Sequence, residues 1–72
     1  MDETFELDTD YIPLCDLLKV CSITDTGGAA KHLIAAGEVK VDGEVELRKA
    51  RKIRPGHTVT GEDFRITVVA AP

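Results

Sequence analysis

The sequence predicts an α+β domain, with a helix pair packed on one side of a small, mostly antiparallel sheet of short strands. Three observations lead there. Leu14, Leu17, Leu18 and Cys21 recur at i, i+3, i+4 and i+7, the apolar stripe of a helix facing a core. After Gly37 the period changes to two, and Val39 and Val41 alternate with Glu38 and Lys40. Turn signals at Asp42-Gly43, Pro55-Gly56 and residues 61–63 divide the remainder into short strands. A chain of 72 residues allows one domain, residues 1–72, with a thin core.

Each element has its reason. Phe5 and Leu7 alternate with Thr4, Glu6 and Asp8, which reads as a first strand, while residues 1–4 and 70–72 are expected to be loose ends. The first helix is expected over residues 12–20. Pro13 suits its first turn, and Asp16 and Lys19 lie at the favourable ends of its dipole. Asp25 or Thr26 can cap the second helix, which Gly27-Gly28 opens and residues 29–36 continue. Ala30, Leu33 and Ile34 turn inward there, whereas Lys31, His32 and Ala35 lie off that stripe. Gly37 ends the helix in a left-handed conformation. Asp42-Gly43 is a tight hairpin turn, and Val45 and Leu47 continue the returning strand. Residues 58–60 and 64–69 supply the last strands.

Composition excludes several function classes. Hydrophobic residues make up 43% of the chain, too many for a disordered segment. No apolar run reaches the roughly 20 residues of a membrane helix. Met1-Asp2-Glu3 is no signal-peptide start, so the expected location is the cytosol, away from membranes. Cys15 and Cys21 have no neighbouring His or Cys and read as two reduced, partly buried thiols. No metal and no cofactor are expected. His32 and His57 lack a Ser, Cys or acid at catalytic spacing, and the acids form neither a paired-carboxylate nor a calcium-loop pattern. Nothing supports an enzyme, and a monomer is expected.

Net charge is −4, but it is unevenly spread. Residues 1–16 hold Asp2, Glu3, Glu6, Asp8, Asp10 and Asp16 and no base. Residues 48–54 hold Arg48, Lys49, Arg51, Lys52 and Arg54 and no acid. Local field, not net charge, decides where a polyanion lands. A regular strand through this run would set Lys49 and Arg51 beside Ile53 on an apolar face. An exposed loop leading into a short strand at Ile53 is therefore expected. Either phosphates neutralise these bases, or Glu44 and Glu46 pair with them on a solvated surface. The segment Thr26-Gly27-Gly28-Ala29-Ala30-Lys31 offers free N–H groups and small residues to a phosphate, although it is no Walker loop. A plain capping role stays open for it. Phe5, Tyr11 and Phe64 are the only aromatics. Phe5 and Phe64 fit the core, leaving no platform for stacked bases, so if RNA binds, phosphates and duplex or junction shape are the expected targets.

The stretch from Thr26 through Lys31, Gly37, Val39 and Val41 to Asp42-Gly43, followed by Lys52-Ile53-Arg54-Pro55-Gly56-His57, resembles the S-four RNA-binding domain with its two-helix α-L motif. It is most similar to the family's small stand-alone bacterial members, the YbcJ/YaaA-like group. The resemblance covers residues 5–69. It implies RNA contacts from Lys31 and from Arg48, Lys49, Arg51, Lys52 and Arg54, with Thr26, Gly27 and Gly28 as backbone contacts. It departs from the family pattern at Thr26-Gly27, where Ser-Arg is frequent, and in lacking an Arg at the first-helix start. His57 and Asp42 replace a frequent Asp and Asn, which is expected to affect turns only. The five-base run is expected to shift the contact surface toward the sheet edge. The function so implied is recognition of structured RNA of the ribosomal or transfer class. The alternative is a protein-interaction adaptor docking on a larger nucleic-acid-processing complex, with the acidic N-terminal segment as one contact.

Overall fold

The computed structural model describes all residues, 1–72. Its elements are β1 (Asp2–Leu7), β2 (Ile12–Pro13), α1 (Leu14–Val20), α2 (Gly27–Ala35), β3 (Lys40–Val41), β4 (Glu44–Val45), β5 (Lys52–Ile53), β6 (Thr58–Thr60) and β7 (Arg65–Ala70). Five strands form one sheet in the order β1-β7-β6-β3-β4, and β2 pairs with β5 in a second. Every pairing is antiparallel except β1 with β7. The α+β arrangement expected from the sequence is the one observed.

Helix α1 starts two residues later than the period suggests. A residue before proline is pushed to extended backbone, so Ile12 joins Pro13 in a strand and pairs with Ile53. Pro13 becomes the N-cap residue, with no side-chain cap. The apolar stripe is as expected: Leu14, Leu17, Leu18 and Cys21 are all buried. Thr26 caps α2 by accepting from the Ala29 N–H at 3.1 Å, and Gly37 ends it at φ +76. Ala30 and Ile34 are buried and Leu33 is half-buried against the core. These helix residues meet Val41, Val59, Ile66 and Val68 of the sheet, and Val39 and Ile53 complete the cluster. Each such aliphatic side chain contributes roughly 1.5–3 kcal/mol when fully buried.

The chain ends are not loose. Asp2–Leu7 pairs in parallel with Arg65–Ala70 along its whole length. The Met1 ammonium donates to the Asp63 carbonyl at 2.6 Å, and the Ala71 N–H donates to the Leu7 carbonyl at 2.9 Å. Backbone pairing over six residues outweighs the fraying expected of an isolated terminus.

The returning hairpin strand also differs from expectation. Val45 and Leu47 do not point inward; they are 53 and 61% exposed, and the buried residue between them is Glu46, 7% exposed. The tight turn explains this. Asp42 and Gly43 take φ +52 and +87, which sets Val41 opposite Glu44 and Lys40 opposite Val45. Opposite residues share a face. Continued by one step, the register sets Glu46 beside the buried Val39, and the Glu46 N–H indeed donates to the Val39 carbonyl at 2.9 Å.

Candidate nucleic-acid interface

The basic run forms a loop ending in β5, and three anchors shape it. Ile53, fully buried, ties its end to the core. The carbonyls of Arg51 and Lys49 accept from the N–H groups of Leu14 and Cys15, at 2.9 and 3.0 Å. Those donors belong to the first turn of α1, where a helix has no partners of its own, so the loop backbone replaces the cap that Pro13 cannot provide. The third anchor is Glu46. Its carboxylate accepts from the Arg48 N–H and Nε at 3.0 Å each, from Arg48 Nη2 at 3.2 Å and from Arg51 Nη1 at 2.6 Å. These bonds, first those from the Arg48 side chain, lower the Glu46 pKa to about 2. The loop backbone is thus held inward, and its cationic side chains are left on the outside.

A groove of about 930 Å³ lies between this loop and α2. It is lined by Lys31, Ala35, Leu47, Arg48, Lys49, Ala50, Arg51, Lys52, Arg54 and His57. All six basic residues named from the sequence therefore meet at one surface. Lys31 reaches it from α2, where Ala35 one turn on lies on the same face and its small side chain keeps the wall low. Arg48 and Arg51 share one carboxylate, whereas no carboxylate pairs with Lys31, Lys49, Lys52 or Arg54. Four cations are thus uncompensated.

Thr26, Gly27 and Gly28 do not line the groove. Gly27 precedes Lys31 by four residues and Ala35 by eight, so it shares their helix face. A Cβ at Gly27 would meet nothing within 4 Å, and at Gly28 only Thr26 Oγ1 at 3.9 Å. Packing requires glycine at neither position.

Glu46 pairs with Arg48 and Arg51, as one of the two readings of the basic run expected, but three features escaped the sequence reading. The burial of Glu46 could have been found by applying the hairpin register to Val41. His57 does more than shape a turn: its Nδ1 lies 2.7 Å from Asp42 Oδ2, and Asp42 Oδ1 accepts from the Thr58 N–H at 2.9 Å. Those two bonds, the Thr58 one first, lower the Asp42 pKa and lock the hairpin turn to the turn before β6. Tyr11 is the third: it is 40% exposed beside Lys52 and Arg54, and local sequence gives no sign of that pairing. Cys15 and Cys21 are free thiols, and burial pushes the Cys21 thiol up. No group of three His, Cys, Asp or Glu side chains could hold a metal ion, and no helix is long and apolar enough to cross a membrane.

The S4 domain family matches residues 5–69. The chain is 48% identical over 60 residues to YbcJ of Escherichia coli (strain K12), covering 83% of this chain and 86% of that protein. It is 34% identical over 64 residues to RlbA of Bacillus subtilis (strain 168), named a probable ribosome maturation protein, covering 89 and 90%. The solution structure of E. coli YbcJ, described as revealing an alfaL motif involved in RNA-binding, superposes with a TM-score of 0.73 at 47% identity, covering 93% of this chain and 86% of that one. With its α-L helix pair, its sheet of short strands and this extent of matching sequence, the chain belongs to the S4 RNA-binding domain family, whose members of this kind bind and do not catalyse.

Proposed function

We propose that this protein binds structured RNA of the ribosomal or transfer class through phosphates and helix shape. The observation that carries the reading is the convergence of Lys31, Lys49, Lys52 and Arg54, four cations without a carboxylate partner, on one groove. Phosphates of a folded RNA supply the negative charge that such a surface neutralises, and A-form helices are recognised by backbone and shape. Arg48 and Arg51 contribute less free charge because Glu46 compensates one of them. Gly27 and Gly28, unneeded for packing, let a phosphate approach the free N–H groups at the start of α2. The ribosome-linked name of the B. subtilis relative favours ribosomal RNA, or a precursor of it, within that class.

The test compares wild type with a Lys31→Glu/Lys49→Glu variant on a structured ribosomal RNA fragment at low salt. Both side chains are exposed, so the fold should persist, which circular dichroism checks. A loss of about 10- to 100-fold in affinity is expected from reversing two phosphate contacts. Equal affinity would refute the reading. One observation favours a second role in protein docking: β1, carrying Asp2, Glu3 and Glu6, is one of the two edge strands of the larger sheet. That role requires a partner whose capture survives nuclease and depends on those acids.

A further inference from the structure

Tyr11 stands at the border of the basic groove, and the small sheet holds it there. It directly precedes β2, whose register with β5 sets Ile12 opposite Ile53 and Pro13 opposite Lys52. One step further along that register, Tyr11 faces Arg54. Opposite and diagonal side chains of an antiparallel pair lie on one face. Ile53 takes the buried face, so Tyr11, Lys52 and Arg54 share the outer one. The distances agree: Lys52 Nζ lies 5.1 Å and the Arg54 guanidinium carbon 5.8 Å from the Tyr11 ring centroid. The Thr9 hydroxyl donates to the Tyr11 carbonyl at 3.0 Å and braces the turn that delivers the ring.

We propose that Tyr11, Lys52 and Arg54 form a subsite for an unpaired RNA nucleotide, with the base stacked on the Tyr11 ring and the flanking phosphates taken by Lys52 and Arg54. The inference rests on the phosphate-binding reading of the groove and deepens it. The surface prefers an RNA helix that carries an unpaired nucleotide beside it, at a bulge, junction or end. A cation over an exposed ring is held weakly, whereas a base of any sequence stacks firmly on an aromatic face. An arriving nucleotide supplies both a base for the ring and phosphates for the displaced cations, so each group exchanges a weak partner for a stronger one. A base inside a perfect duplex is already stacked on its neighbours and cannot reach the ring.

The experiment uses the full chain and two RNA hairpins, closed by a non-nucleotide linker so that no loop base is free, that differ only by one bulged nucleotide, a fluorescent purine analogue. Binding is measured at one fixed salt concentration for wild type, Tyr11→Phe and Tyr11→Ala. Wild type is expected to bind the bulged hairpin about 10-fold more tightly than the paired one, the size of one base–aromatic stack, and to quench the analogue. Tyr11→Phe should keep both effects. Tyr11→Ala should lose both while retaining the affinity for the paired hairpin. Equal wild-type affinity for the two hairpins without quenching overturns the subsite and leaves the groove reading standing, whereas no binding of either hairpin overturns both. The wild-type comparison needs no variant, so it decides the matter even where Tyr11→Ala fails to fold.

Discussion

Replacing Glu46 with Gln tests how the basic loop is held. The carboxylate accepts four bonds from Arg48 and Arg51, and its pKa falls from the ordinary 4.5 to about 2. Without screening, that shift would correspond to about 3 kcal/mol of stability. The Arg48 and Arg51 side chains are 73 and 31% exposed, so water screens the pairs and about 1–2 kcal/mol is the reasonable magnitude. For a domain of this size, that lowers Tm by about 5–15 °C. The sign with pH follows from the lowered pKa. The folded carboxylate stabilises the protein fully above the unfolded value near 4.5, and this contribution is lost as pH falls through about 2. Thermal unfolding of wild type and Glu46→Gln, followed by circular dichroism from pH 7 to pH 2, should show a full gap above about pH 5 that closes toward pH 2. Equal stability at pH 7, or a gap independent of pH, would refute this account of the loop.

Other substitutions probe single contacts. At Gly61 an added Cβ would overlap the Phe64 ring, and that ring packs on the core; Gly61→Ala should cost about 1–3 kcal/mol in urea unfolding. Gly28→Ala has room and a helical position, so it should raise stability by roughly 0.5 kcal/mol while weakening RNA binding in a filter or anisotropy assay. Asp42→Ala removes the short polar side chain that favours φ +52 and the acceptor of the Thr58 N–H, a loss of about 1–2 kcal/mol. Asp42→Asn, which tolerates the left-handed backbone, should recover most of that stability.

Local features of the fold were legible in the sequence because each is set within a few residues. The stripe Leu14, Leu17, Leu18 and Cys21 needs only helical geometry, and Asp42-Gly43 needs only a turn that tolerates positive φ. Thr26 and Gly37 mark the ends of α2 by their own chemistry. The loop character of the basic run also followed locally, from the clash between Ile53 and its charged neighbours on one strand face. What escaped depends on distant pairing. The β1–β7 pairing joins the two ends of the chain, and nothing near Asp2 signals Arg65. The same holds for Tyr11, which meets Arg54 only through the β2–β5 register. Glu46 is the exception, since the two-residue turn already implied its face. Its burial was overlooked because alternation was followed along β4 alone, without the partner strand. The basic groove itself was half legible. The charge was visible, but the joining of Lys31 to the run required α2 and the loop to be side by side.

The most direct test of the central claim is the salt dependence of RNA binding. Four unpaired cations on the groove predict that log K falls with log salt at a slope of about −3 to −4 for the wild type. A Lys31→Ala/Lys49→Ala variant removes two of them and should make the slope shallower by about two while the fold stays intact. A wild-type slope near zero, or one unchanged in the variant, would contradict the assignment of this groove as the phosphate-binding surface.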